Sequence, residues 1–159
     1  MGELERLSKR AADYDKYIMR EFGPLDNFYC SANYYIDEYE EIKGYYTRGL
    51  EYVGNGACSH VYRMNRYVLK LHTPYNKKIN LKAAPTDSRI FHARDREYHF
   101  LFHEFTSENG LGAVQKYINC LPWAQDQAYY LLTKHYNLKI NAKSNCGMDD
   151  GRALIIDWQ

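Results

Sequence analysis

The stretch from Leu50 to His72 constrains the fold more than any other. It opens on Leu50-Glu51-Tyr52-Val53, turns through Gly54-Asn55-Gly56, and alternates from Ser59 to Met64 with Val61 inside that run. Asn65-Arg66 makes a two-residue turn, and Tyr67 to His72 is a third extended run with Lys70 within it. β-branched and aromatic residues bounded by short turns predict three successive antiparallel strands, over 47–53, 59–64 and 67–72. Two glycines between paired strands let a backbone approach a ligand closely and aim N–H groups at it; they equally suit a tight turn. A lysine flanked by Leu69 and Leu71 is unusual in a sheet interior. A buried ammonium requires a partner or an anionic ligand, whereas on an edge strand it reaches back to water.

The flanking chain supplies helices. Leu4, Leu7, Ala11, Tyr14, Ile18 and Phe22 recur at three- and four-residue steps, predicting an amphipathic helix over 3–22 that Gly23-Pro24 ends. A second helix is predicted over 31–43, capped by Ser31 and closed by Gly44. Packing on the glycine hairpin is the simplest use of both. Residues 73–88 are polar, hold two prolines and carry Lys77, Lys78 and Lys82 on a solvated loop. Ile90, Ala93, Glu97, Phe100, Leu101 and Phe105 fall at helical spacing and predict a helix over 89–106. A strand over 113–120 follows. The run 128–136 fits strand or helix, Asp149-Asp150-Gly151 is a hairpin turn signal, and Ala153 to Asp157 is a strand ending in an acid. Helix, helix, three strands, helix and further strands make an α+β chain with an antiparallel sheet.

Composition excludes some functions. At 159 residues and net charge +1, nothing argues for a nucleic-acid or membrane-surface partner, and no apolar run approaches a membrane span. The N-terminal residues show no apolar signal region, and Arg6 stands where N-myristoylation wants Ser or Thr. Cys30, Cys58, Cys120 and Cys146 form no CxxC pair, which fits free thiols in a reducing intracellular compartment, cytoplasm or nucleus. The 17 tyrosines suit half-buried surfaces and a protein partner, or reflect composition bias. His92, His99 and His103 share a face of the expected 89–106 helix at a spacing that suits a divalent metal, although no His-Glu-x-x-His pattern accompanies them.

Three residues complete a chemical reading. Lys70 would need a carboxylate, and Glu97 lies mid-helix where it could supply one. Asp157 ends an apolar strand, where an acid can hold Mg²⁺ near phosphates. The order of glycine loop, strand lysine, helix glutamate and strand-end aspartate resembles the small lobe of the protein kinase fold over about residues 47–157. Val53 to Tyr62 resembles the glycine-rich loop, with Ser59 at the third glycine position. Tyr67-Val68-Leu69-Lys70-Leu71 resembles the V-A-I-K strand, and Ile155-Ile156-Asp157-Trp158 resembles the D-F-G strand in an Asp-Trp form. The resemblance implies an ATP and Mg²⁺ site on Gly54, Gly56, Val61, Lys70 and Glu97, with Glu104 the rival for the helix glutamate and Asp157 as metal ligand. It divides the chain into a helical extension, 1–46, and a truncated kinase-like domain, 47–159.

The departures weigh against catalysis. His135-Tyr136-Asn137 resembles the catalytic-loop His-x-Asp, but Asn137 holds the aspartate position, and an amide cannot accept a proton. Ala142 falls at the metal-asparagine position, with Asn141 and Asn145 close by. In a second alignment Asp126 to Thr133 resembles the fifth strand, which leaves no room for a catalytic loop. The resemblance therefore implies a pseudokinase-like binding or regulatory module; a minimal active kinase and an unrelated α+β interaction domain are the alternatives.

Overall fold

A computed structural model describes residues 2–22, 36–55, 59–72, 99, 101–140 and 142–156. The chain is α+β with antiparallel sheets, and forms two compact units: Met1–Ala84 with His103–Lys116, and Pro85–Phe102 with Tyr117–Gln159. The helices assigned by sequence to an extension thus fall in the first unit, with the sheet.

In the first unit, α1 (Glu3–Phe22) and α2 (Ile36–Tyr46) accompany strands β1 (Glu51–Asn55), β2 (Ser59–Met64), β3 (Tyr67–His72), β4 (Phe105–Thr106) and β5 (Gly112–Lys116). The sheet order is β1-β2-β3-β5-β4, with every pairing antiparallel. Helix α1 has the predicted bounds. Glu3 and Glu5 in its first turn and Arg20 in its last complement the helix dipole. Its stripe of Leu7, Ala11, Tyr14 and Ile18 is fully buried against Leu69, Leu71, Leu111 and Val114. Each large side chain so buried contributes about 1.5–3 kcal/mol. The approach is close: a Cβ on Gly112 would lie 2.6 Å from the Ala11 carbonyl oxygen.

Asp15 sits on the same stripe and is 1% exposed. Its carboxylate accepts hydrogen bonds from the Ser107 hydroxyl, from the Asn109 N–H and Nδ2 (both 2.8 Å) and from the Leu111 N–H (3.4 Å). Ser107 Oγ in turn accepts from the Gly112 N–H at 2.8 Å. The helix thereby holds the whole β4–β5 turn.

The second unit holds α3 (Pro122–Tyr130), which continues as a π-helical turn over Leu131–His135, and the hairpin β6 (Cys146–Asp149) and β7 (Arg152–Ile155). Ala124, Ala128 and Leu132, four apart, bury one helical face against Cys146, Met148, Ala153 and Ile155. Asp150 (φ 49°) and Gly151 (φ 81°) make the expected tight turn.

Several sequence expectations are corrected. Gly44 does not close the second helix, which runs to Tyr46; Thr47 ends it by bonding back to the Lys43 carbonyl through its N–H (3.1 Å) and its hydroxyl (3.0 Å). The first strand starts at Glu51 rather than 47 because that turn occupies the intervening residues. Residues 101–104 are not helical, and Phe105–Thr106 is a strand: pairing with Val114 and Ala113 overrides the local helical spacing. The ambiguous run from Ala128 is helical, so Asp126 to Thr133 cannot be a fifth strand. The expected strand over 113–120 ends at Lys116, and Asn119 then makes only a bridge to Met148. The rest of the 89–106 helix and the 73–88 loop lie outside the described residues, apart from His99.

Candidate functional site

The sheet has two faces with different chemistry. Leu69, Leu71 and Val114 point to the α1 core, so alternation puts Val68, Lys70 and His72 on the other face. Register extends that face across the strands: Gly54 pairs with Val61, Val61 with Lys70, Lys70 with Ala113, and Ala113 with Thr106. Gly54, Val61 and Lys70, expected together from sequence, therefore occupy one cross-strand row. Among the described residues, a Cβ on Gly54 would meet nothing within 4 Å. The residues flanking the lysine across the sheet are Val61 and Ala113, and Val68 pairs with Gln115, which is 2% exposed.

Lys70 itself is 8% exposed. His103, which sequence reasoning assigned only to a metal alternative, belongs to this face. Its Nδ1 lies 3.2 Å from Thr106 Oγ1. Burial first, and then the positive charges of Lys70 and His72, lower its pKa to about 2. The imidazole is therefore neutral at any physiological pH. The sequence carried no signal of this placement, because helical spacing put His103 on the expected 89–106 helix.

Gly56, Glu97 and Asp157 lie outside the described residues. Asn137, the catalytic-loop candidate, is exposed and has φ 56°. The Leu138 N–H bonds to the Leu132 carbonyl at 2.9 Å and the Tyr136 N–H to the Leu131 carbonyl at 3.0 Å. This is a helix C-terminal cap with Asn137 in the left-handed position, where asparagine is the usual substitute for glycine. The local backbone thus gives Asn137 a capping role.

Within the second unit, the Ile156 N–H donates to the Asn145 carbonyl at 2.8 Å, so Asn145 adjoins the strand that leads to Asp157. Ile155 also bonds to His99 and Leu101, through its N–H to the His99 carbonyl (2.6 Å) and its carbonyl from the Leu101 N–H (2.9 Å). Asn145, rather than Ala142, is the amide residue beside this strand end. Cys120 and Cys146 are free thiols, and burial followed by the neighbouring Cys120 pushes the Cys146 thiol up to about 11.

The histidine metal site loses its geometric basis: neither His99 nor His103 is helical, and they fall in different units. Among the described residues no group of three or more His, Cys, Asp or Glu side chains could hold a metal, and no helix is long and apolar enough to cross a membrane. A pocket of about 270 Å³ between α1 and the end of α2, lined by Arg10, Asp13, Tyr45, Tyr46 and Arg48, contains none of the expected site residues. No family model, no curated protein and no solved structure matches this chain.

Proposed function

We propose that this chain is a kinase-like binding or regulatory module without phosphotransfer activity, with a nucleotide-phosphate site on the lysine face of the first unit. The observation that carries the reading is the single row Gly54–Val61–Lys70, on the sheet face opposite α1. A glycine turn between the first two strands and a lysine on the third is the arrangement by which kinase-type folds hold ATP phosphates. Lys70 supplies the positive charge, the backbone at Gly54 meets a phosphate, and Val61 offers an apolar contact. The resemblance implies ATP with Mg²⁺ as the cofactor, with Gly56, Glu97 and Asp157 as the further residues that the sequence alone assigns to it.

The absence of catalysis rests on Asn137. Its amide cannot act as a general base, a loss worth about 10²–10⁴ in rate, and its conformation is that of a cap. A regulatory role through a protein partner draws on the exposed Leu121, Trp123, Tyr130 and Tyr136 of the second unit. The competing reading, a minimal active kinase, draws on one observation: the Asn145 backbone carbonyl accepts from the Ile156 N–H, so an asparagine lies in the chain beside the strand that precedes Asp157.

Thermal unfolding with ATP tests the site. Mg²⁺-ATP is expected to raise the midpoint, by about 2.7 kcal/mol of stabilisation at a hundredfold excess over Kd, and Lys70→Met to abolish the rise. An unchanged midpoint at millimolar ATP overturns the nucleotide site. Phosphate transfer that Asp157→Ala removes would overturn inactivity and establish the active kinase.

A further inference from the structure

The pocket between α1 and the end of α2 belongs to the first unit and shares no residue with the lysine row. Three parts of the chain build it: Arg10 and Asp13 on α1, Tyr45 and Tyr46 in the last turn of α2, and Arg48 just beyond. Arg10 forms the wall. Its Nη1 donates to the Arg48 carbonyl at 2.7 Å and to the Tyr46 carbonyl at 3.3 Å, one of those that a helix end leaves without a helical partner. The backbone between Tyr46 and Arg48 is thereby fastened to α1.

Arg48 is used differently. Its guanidinium lies over the Tyr45 ring, 5.4 Å from the centroid, and among the described residues it forms no ion pair. A guanidinium resting on a ring through its face keeps the N–H groups along its edge, a fork that fits a carboxylate or phosphate. Tyr45 is 64% exposed, so its ring has area left for a second flat group. The Tyr46 ring stands edge-on beside it, with 5.1 Å between centroids. Burial, and then the Asp13 carboxylate, hold the Tyr46 phenol above its usual pKa, so the hydroxyl stays a donor. Among the described residues that hydroxyl has no hydrogen bond. The lining is cationic: Asp13 is its one acid, and Lys9 Nζ already holds that carboxylate at 3.0 Å, against two guanidiniums. A volume of about 270 Å³ is small beside the roughly 300–1,000 Å³ of most small-molecule sites, and suits a ligand with one ring.

We propose that this pocket binds a small ligand with a carboxylate or phosphate carried on one aromatic ring, the oxyanion on the edge of Arg48 and the ring on Tyr45. Tyr46 donates its hydroxyl to the same oxyanion. The site does not depend on the nucleotide reading.

Titration of the full chain with phenyl phosphate and with benzoate, followed by amide chemical shifts, tests it. At least one probe is expected to move the amides of Arg10, Tyr46 and Arg48 saturably, and the tighter of the two names the headgroup. Arg48→Ala keeps the carbonyl that Arg10 holds and removes only an exposed side chain, so the fold survives. It is expected to weaken that probe about tenfold or more, the worth of a charge-assisted hydrogen bond. Inorganic phosphate or acetate, which lack the ring, should bind about threefold or more weakly than the matching aryl probe. Asp13→Asn, which removes the opposing charge, should tighten binding. Equal affinity in Arg48→Ala overturns the site, as does the failure of both probes to move these amides. Shifts confined to β2 and β3 would put the anion on the lysine row and overturn it as well. Equal affinity with and without the ring overturns the aromatic ligand.

Discussion

The two units solve the same problem, fixing turns beneath a core, with different means. In the first, a helix lies on the sheet and reaches through a buried carboxylate to hold the turn between the last two strands. Its core is built from large side chains, Leu7, Tyr14, Ile18, Leu69 and Leu71 among them. In the second, the helix packs through Ala124 and Ala128 onto a two-stranded hairpin, and its turns rest on left-handed backbone at Asn137, Asp150 and Gly151, which the first unit also uses at Gly49, Asn65 and Gly110 beside its carboxylate latch. Side-chain hydrogen bonding to a buried charge is worth more per residue than a turn preference, but it fails harder when one partner is removed. The first unit is therefore the more fragile to a single substitution at this latch.

That contrast is broken most directly at Asp15. Asp15→Ala strands the Ser107 hydroxyl and the N–H groups of Asn109 and Leu111 without their acceptor. The expected loss is about 3–5 kcal/mol, read as a lowered midpoint in urea with the slope unchanged. Asp15→Asn retains one acceptor oxygen but brings its amide against donors, and is expected to lose less. A loss below about 1 kcal/mol for the alanine variant would show that the latch contributes little and that the two units are alike in kind.

A weaker lever is pH. The His103 imidazole titrates at about 2 in the folded chain and at the ordinary 6.5 when unfolded. Between those values the unfolded chain binds a proton that the folded chain refuses. The stability that His103 contributes is thus complete above its unfolded pKa and falls as pH drops, by about 1.4 kcal/mol per unit. Stability measured from pH 7 down to about pH 4.5 should decline less steeply in His103→Gln than in the unaltered chain. Parallel profiles would mean that the ring is not buried uncharged. Because His103 lies in the first unit, the effect also shows whether that unit governs the acid limb.

Much of the scaffold is written in local pattern. Helix α1 follows from one stripe with acids at its start, and the β2–β3 hairpin from alternation around Asn65, whose φ of 52° marks the turn. The row through Gly54, Val61 and Lys70 follows from alternation once the hairpins are paired. What pattern does not carry is set by tertiary partners. Phe105 and Thr106 continue a helical spacing, yet they pair with β5. The run from Ala128 becomes helical because a Pro-started helix buries every fourth residue against the hairpin. Asp15 was legible in principle, since it stands four after Ala11 and three before Ile18, on the apolar stripe. An acid at such a position signals a buried polar partner, and its partners are about ninety residues away in sequence, as the Ser107 separation of 92 shows. Asn137 shows the opposite limit: its resemblance to a catalytic motif was legible in sequence, whereas the backbone position it fills is revealed only by φ.

The smallest expected effect bears on that last residue and separates its two roles. Asn137 closes the π-helical turn with φ 56°, a conformation that costs an ordinary residue about 1–2 kcal/mol and glycine nothing. Asn137→Gly should therefore change stability by less than about 0.5 kcal/mol, whereas Asn137→Val, stiff and β-branched, should lose about 1–2 kcal/mol. Hydrogen exchange at the Leu138 amide, bonded to the Leu132 carbonyl, reports the cap locally. Protection should survive in the glycine variant and fall in the valine variant. Equal behaviour of the two would remove the capping account and return the amide side chain to the chemical role that its neighbours His135 and Tyr136 first suggested. A glycine variant that keeps both protection and nucleotide binding would assign Asn137 to the second unit's turn-making backbone alone, and would leave the candidate site to the residues of the first unit's sheet.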